Sequence, residues 1–234
     1  MKSLVFRSLC LVACIAVAAC APGSPVLLKD GATGGGLLPV SDSGIKEAWV
    51  KPGVNFSSYR QILLLPTEVQ FRPVRPGAGN GLARSQDHEF PVSPADRQRL
   101  LDTFNAIARE ELATSRHLTL TDTPGPDVLF VRISLLDVIS RVPPEGPGRT
   151  DVYLDEIGTA TLVLELQDGT SGETLARAAE RRRADPVDGL DGPGRVSRVT
   201  PVTVWSEVRR TARRFATAAT LWIDQLQPRG RMPG

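Results

Sequence analysis

Between Trp205 and Leu226 seven apolar residues, Trp205, Val208, Ala212, Phe215, Ala219, Trp222 and Leu226, recur at intervals of 3, 4, 3, 4, 3 and 4. That spacing puts them on one stripe of a helix about six turns long. Arg209, Arg210, Arg213 and Arg214 fall on the opposite face. Such a stripe needs an apolar surface to cover it, either a partner helix in a coiled coil or a sheet. Two alanines and two tryptophans in three heptads suit docking on a sheet, because uneven side chains do not repeat a coiled-coil seam.

The surface for that helix is encoded upstream. In "YRQILLLPTEVQF" (Tyr59 to Phe71), four consecutive apolar residues, Ile62 to Leu65, precede alternation at Val69 and Phe71. This reads as a buried strand interrupted or bulged at Pro66, which has no N–H for a sheet ladder. Ser93-Pro94-Ala95-Asp96 starts a helix: Ser93 as N-cap, Pro94 in the first turn, and Leu100, Phe104, Ile107 and Leu112 at helical spacing to about Thr114. Val128 to Ile139 is strand-like, and Thr159 to Gln167 alternates cleanly. "DGTSGE", Asp168 to Glu173, supplies hairpin glycines, so Thr174 to Arg183 returns as the partner strand.

The order β-α-β-β-β-α predicts a single α/β domain of the α+β type over residues 46–226. In it, two long helices pack on a mixed sheet, with a short tail at 227–234. The strands ending at Phe71 and opening at Val128 are expected to be parallel, joined by a right-handed crossover through the first helix. Three Pro/Gly-rich connections, 72–92, 141–158 and 184–204, then gather at one end of the domain. Connections longer than about 12–15 residues without structure of their own are candidates for function. That end is the expected binding surface, with Arg149, Arg181, Arg182, Arg183, Arg195 and Arg198 giving it basic character.

All three cysteines, Cys10, Cys14 and Cys20, lie within the first twenty residues. Lys2 and Arg7 precede an apolar or small run of eleven residues, Leu9 to Ala19. That is the order of a secretory signal peptide (1–19), too short for the about 20 residues of a membrane span. Val17-Ala18-Ala19-Cys20 resembles the lipobox of bacterial lipoproteins. The resemblance implies that Cys20 becomes a lipidated first residue, with acyl chains that anchor the chain to a membrane. Ala21, rather than Asp, follows the cysteine, which by the sorting rule of many Gram-negative lipoproteins implies the outer membrane. Nine of the 24 residues from Ala21 to Gly44 are Gly or Pro, so 20–45 reads as lipidated cysteine and flexible tether.

A processed chain has no free thiol, hence no disulfide framework, cysteine nucleophile or cysteine-ligated metal. Loss of Lys2 and Arg7 leaves twenty-six basic and twenty-six acidic residues, with twelve arginines against six acids from Arg177 onward. An anionic partner is one reading of that asymmetry. The other is arginine usage, since twenty-four arginines stand beside four lysines. Aromatic residues are not interleaved with the arginines, so nucleic acid is not an expected partner.

Catalytic chemistry is poorly supplied. The only histidines are His88 and His117. Asp87-His88-Glu89 could seed a metal site or an acid–base pair, yet adjacent side chains diverge in regular structure. Asp185, Asp188 and Asp191 come at every third residue, not in the alternation of a calcium loop. The Gly-x-Ser-x-Gly and His-Glu-x-x-His motifs do not occur. No cofactor or metal is expected, and a carboxylate pair of the kind that cleaves glycosides is readable only in three dimensions.

"WVKPGVNFSSYRQILLLPTEVQF", "PGPDVLFVRISLLDV", "GTATLVLELQDGTSGETLARAAERRR" and "WSEVRRTARRFATAATLWIDQL" resemble, in order, blocks of the domain-of-unknown-function family 3313, lipoproteins of Gram-negative bacteria. The resemblance spans most of Trp49 to Leu226 and implies a periplasm-facing domain tethered to the envelope, without a known activity. The expected function is therefore a non-catalytic envelope lipoprotein that binds or scaffolds, its partner an envelope protein or an anionic envelope polymer. The alternative is an envelope or cell-wall hydrolase using a carboxylate pair.

Overall fold

The computed structural model describes residues 36–41, 43–74, 89–144, 152–185 and 197–227. In chain order the elements are β1 (Leu38–Pro39), β2 (Glu47–Val50), β3 (Gln61–Leu64), β4 (Glu68–Phe71), α1 (Pro94–Leu112), β5 (Thr119–Leu120), β6 (Val128–Ser140), β7 (Val152–Leu154), β8 (Gly158–Asp168), β9 (Thr174–Ala184), β10 (Ser197–Val199) and α2 (Pro201–Leu226). Strands β1 to β6, β8 and β9 form one mixed sheet in the order β1-β2-β9-β8-β6-β3-β5, with β4 alongside β6. Strands β7 and β10 form a separate two-stranded sheet.

Pro66 divides one predicted strand into two. Leu65 still donates its N–H to Val131 O at 2.9 Å, and pairing resumes with Glu68 opposite Ser134. Both β3 and β4 run parallel to β6, with α1 as the crossover, as the topology argument requires. Then β6, β8 and β9 run antiparallel, joined at the far end by the hairpin of Asp168 to Glu173.

The helices begin where their capping residues put them. Ser93 Oγ accepts from Asp96 N at 3.1 Å, with Pro94 in the first turn of α1. Thr200 and Thr203 form a reciprocal capping box, so α2 starts four residues before the apolar stripe. Of that stripe, Trp205, Ala212, Phe215, Ala219, Trp222 and Leu226 are buried. The last five of these join Ile62, Leu129, Ile133, Leu162, Leu164, Ala176 and Ala178 from one sheet face and Phe104 and Leu112 from α1 in a single core. Asp224, buried on α2, accepts from Ser115 Oγ and Arg116 N and so ties the chain after α1 to α2.

Among the described residues no helix covers the other sheet face. Trp49, Val163 and Ala179 make a small cluster there, flanked by the ion pairs Arg132–Glu68 and Arg177–Glu165.

Three features escaped the sequence reading. Leu38–Pro39 pairs with β2, and Ser43 and Ile45 are buried, so the sheet begins inside the stretch read as tether. Strand β2 itself lies beside β9. The connections 141–158 and 184–204 are not structureless, because β7 pairs with β10 and links them. Strands of two to four residues are too short for an alternation to declare itself, and their partners lie far away in sequence.

Candidate functional site

The parallel strands and the hairpin bring Phe71, Ser140, Gly158 and Ala184 to one edge of the sheet. Phe71 registers with Val138, Ser140 with Gly158, and Gly158 with Ala184. Phe90 returns to the same edge, donating its N–H to Ser140 O at 2.8 Å. The edge from which all three long connections leave is thus a single place.

At this edge β6 is irregular. Its register with β8 shifts between Leu136 and Ile139, and Asp137 within the shift has φ = 52°. Aspartate is one of the few non-glycine residues that visit this left-handed region, and a strand interior is an unusual place for it. Gly158 lies opposite, where a Cβ would stand 2.2 Å from Ile139 O. The bulge turns the Asp137 side chain into the helix-free side, leaving it 11% exposed between two arginines. Arg72 donates to it from Nε (2.7 Å) and Nη2 (2.5 Å), and Arg181 from Nη1 (2.9 Å). Arg72 Nη1 also holds Glu89 at 2.9 Å, and Arg181 Nη2 reaches Thr159 Oγ1 at 2.8 Å. The Arg72 hydrogen bonds lead in keeping the Asp137 carboxyl below its ordinary pKa, reinforced by Arg181 against the opposing effect of burial.

A second carboxylate, Glu156, sits nearby at 8% exposure. Arg141 Nε reaches it at 2.8 Å and Arg183 Nε at 3.1 Å, while Arg183 also contacts Asp185 at 3.2 Å.

Beside this network is a cleft of about 350 Å³ between the two ends of the connection after β4. Phe71, Pro73, Phe90, Pro91 and Val138 supply apolar walls, with Arg72, Glu89 and Arg97 among them. The Arg97 guanidinium stacks 4.6 Å above the Phe71 ring while its Nε donates to Val92 O at 3.0 Å, fixing the α1 end of the cleft.

Of the arginines expected at this end, Arg181 and Arg183 are present and both are paired with acids. Arg182 faces the helix side, 2.9 Å from Glu180, and Arg198 is exposed on β10. Arg149 and Arg195 lie outside the described residues, as do Cys20, the signal peptide, Asp87, His88, Asp188, Asp191 and residues 228–234. Glu89, from the Asp87-His88-Glu89 motif, is bound to Arg72. His117 is exposed just after α1, away from this edge. Among the described residues no three His, Cys, Asp or Glu side chains converge as metal ligands.

Sequence reading missed Arg72, Asp137, Arg141 and Glu156. One signal was available, since Asp137 is the only acid in the otherwise apolar and neutral run "ISLLDVIS". Among the described residues of this network, Arg72, Arg141, Arg181 and Arg183 are each paired with an acid.

A mixed sheet covered on one face by two helices, with its arginine–carboxylate network at the crossover edge, defines a two-layer α+β domain. The chain belongs to the family described as "Protein of unknown function (DUF3313)", whose profile matches residues 36–204. A comparison with curated proteins gives no match. Among solved structures, the chain is similar to the DUF330-family protein XCC0632 from Xanthomonas campestris, with a TM-score of 0.45 and 14% identity over 76% of this chain and 89% of that one. It is also similar to the PelC dodecamer from Paraburkholderia phytofirmans, with a TM-score of 0.35 and 8% identity over 73% and 95%. At these scores neither likeness carries a functional argument.

Proposed function

We propose that this chain is a non-catalytic lipoprotein of the Gram-negative envelope, anchored through Cys20 in the outer membrane and facing the periplasm, and that it binds a protein partner at the strand-end cleft. The observation that carries the binding reading is the Asp137 bulge. A left-handed aspartate inside a strand is a local conformational cost that the sheet tolerates beside the cleft, and such residues gather where function is served. Between the two partners expected, the cleft favours protein over an anionic polymer. Its Arg72 is already matched by Asp137 and Glu89 and its Arg97 is stacked on Phe71, while its phenylalanine and proline walls suit an apolar side chain with charges of either sign around it.

The hydrolase alternative gains no support from this edge. A general acid needs a carboxyl held up in pKa. Asp137 is held down by Arg72 and Arg181.

Two measurements test the reading. Fatty-acid labelling should be lost in Cys20→Ser, and equal labelling of the variant refutes the anchor. A photo-crosslinking residue at Val74 or Val92, both on the cleft, should capture a discrete envelope protein that the same residue at Thr170 on the distant hairpin does not. Equal capture from both places refutes the cleft.

A further inference from the structure

Helix α2 sorts its charges by face. Its only two acids, Glu207 and Asp224, are 5% and 9% exposed. Ser206, Arg209, Arg213, Arg214, Thr217 and Gln225 are exposed on the outer face, with Val202 at 76% and Leu221 at 49% exposure. The outer face therefore carries arginines and two large apolar side chains, and no acid. Arg210 is held by Glu207, and Arg213 by Glu110 and Glu111 of α1. Arg209 and Arg214 have no ion-pair partner among the described residues.

The position of α2 says what this face meets. The helix packs against β9, whose neighbour on the sheet is β2 and then β1, whereas α1 packs against β3 on the other half. The chain from Cys20 thus enters at the edge beside α2. Fifteen residues separate Cys20 from Gly36, sixteen steps of chain with a reach of no more than about 55 Å. We infer that the arginine face of α2 lies against the anionic headgroups of the bilayer holding the anchor. This orientation rests on the proposed anchoring at Cys20. An anionic surface attracts nearby arginines, and each unpaired one raises the docked population about fivefold, so two raise it about thirtyfold. The attraction fades within a Debye length of about 8 Å at physiological salt.

The test uses the full lipidated chain reconstituted in vesicles of neutral phosphatidylcholine or with 30% anionic phosphatidylglycerol added (about 30%, enough for a negative surface potential). Ser206→Cys carries a fluorescent donor on the outer face of α2. Gln70→Cys is the control, since its neighbours Val69 and Phe71 face the helix side and it faces away. Energy transfer to a headgroup acceptor should be higher at Ser206→Cys in anionic than in neutral vesicles, should fall with added salt, and should not differ at Gln70→Cys. Arg209→Glu with Arg214→Glu should erase the difference, and the two lysine replacements should keep it. These side chains are exposed and unpaired, so the fold is unaffected, which circular dichroism checks. Equal transfer in the two vesicle types, or a difference that survives charge reversal, overturns the inference. Failure of the protein to float with neutral vesicles refutes the Cys20 anchor instead, and the anionic-to-neutral difference still decides the helix face.

Discussion

Replacing Asp137 separates two forces that the structure superimposes, the ion pairs and the left-handed backbone. Its carboxylate is 11% exposed and receives three hydrogen bonds from Arg72 and Arg181. Hydrogen bonds to charged groups contribute about 1.5–3 kcal/mol, but both guanidinium groups keep about 40% of their exposure, so solvent screening reduces the total to roughly 1–2 kcal/mol. Asp137→Asn keeps the side-chain shape and the tolerance of φ = 52°, and should lose that amount in urea unfolding at pH 7. Asp137→Ala loses the pairing and adds a left-handed penalty of about 1 kcal/mol, making it the least stable. Asp137→Gly loses the pairing without the penalty and should exceed Asp137→Ala by about 1 kcal/mol. The pH dependence fixes the sign. The folded carboxyl titrates below its unfolded value, so its contribution is present above about pH 4 and is lost as pH falls through the folded pKa. The gap between the native chain and Asp137→Asn should therefore close on acidification. A glycine variant no more stable than the alanine one refutes the backbone argument. An asparagine variant with native stability at pH 7 refutes the ion-pair argument.

Other outcomes follow from single contacts. Gly158→Ala puts a Cβ against Ile139 O and should cost about 1–3 kcal/mol by thermal unfolding, since backbone and not a flexible side chain stands in the way. Phe215→Ala removes a ring 1% exposed at the centre of the α2 stripe, and calorimetry should show a loss of about 3–5 kcal/mol. Tyr59 Oη donates to Asp168 at 2.7 Å; Ser171 N leads in holding that carboxyl down to about 2, with the Tyr59 bond second. Tyr59→Phe should raise the Asp168 pKa seen by NMR and cost about 1 kcal/mol above pH 4, a difference that narrows as pH falls toward 2.

Local signals carried much of the fold. The 3-4 stripe of α2, the Ser93-Pro94 start of α1 and the "DGTSGE" turn are each set by residues within a few positions of one another, and the structure keeps all three. The parallel placement of β3 and β6 was also legible, because a strand-helix-strand connection of one hand leaves little choice. The edge where the connections meet followed from that topology. The chemistry there did not, since Arg181 and Arg183 meet Asp137 and Glu156, acids from distant segments.

By itself the sequence determined the two helices and the long strands and which of their faces are apolar, since periodicity, caps and turns act over one or two turns of chain. Only the tertiary structure decided that Asp137 meets Arg72, 65 residues before it, and Arg181, 44 residues after it. It likewise decided that β2 lies beside β9 and that β7 finds β10. Those contacts are fixed by strand register and by a one-residue bulge across distant segments. Neither leaves a period in the chain, because each is settled by packing the whole sheet beneath its two helices.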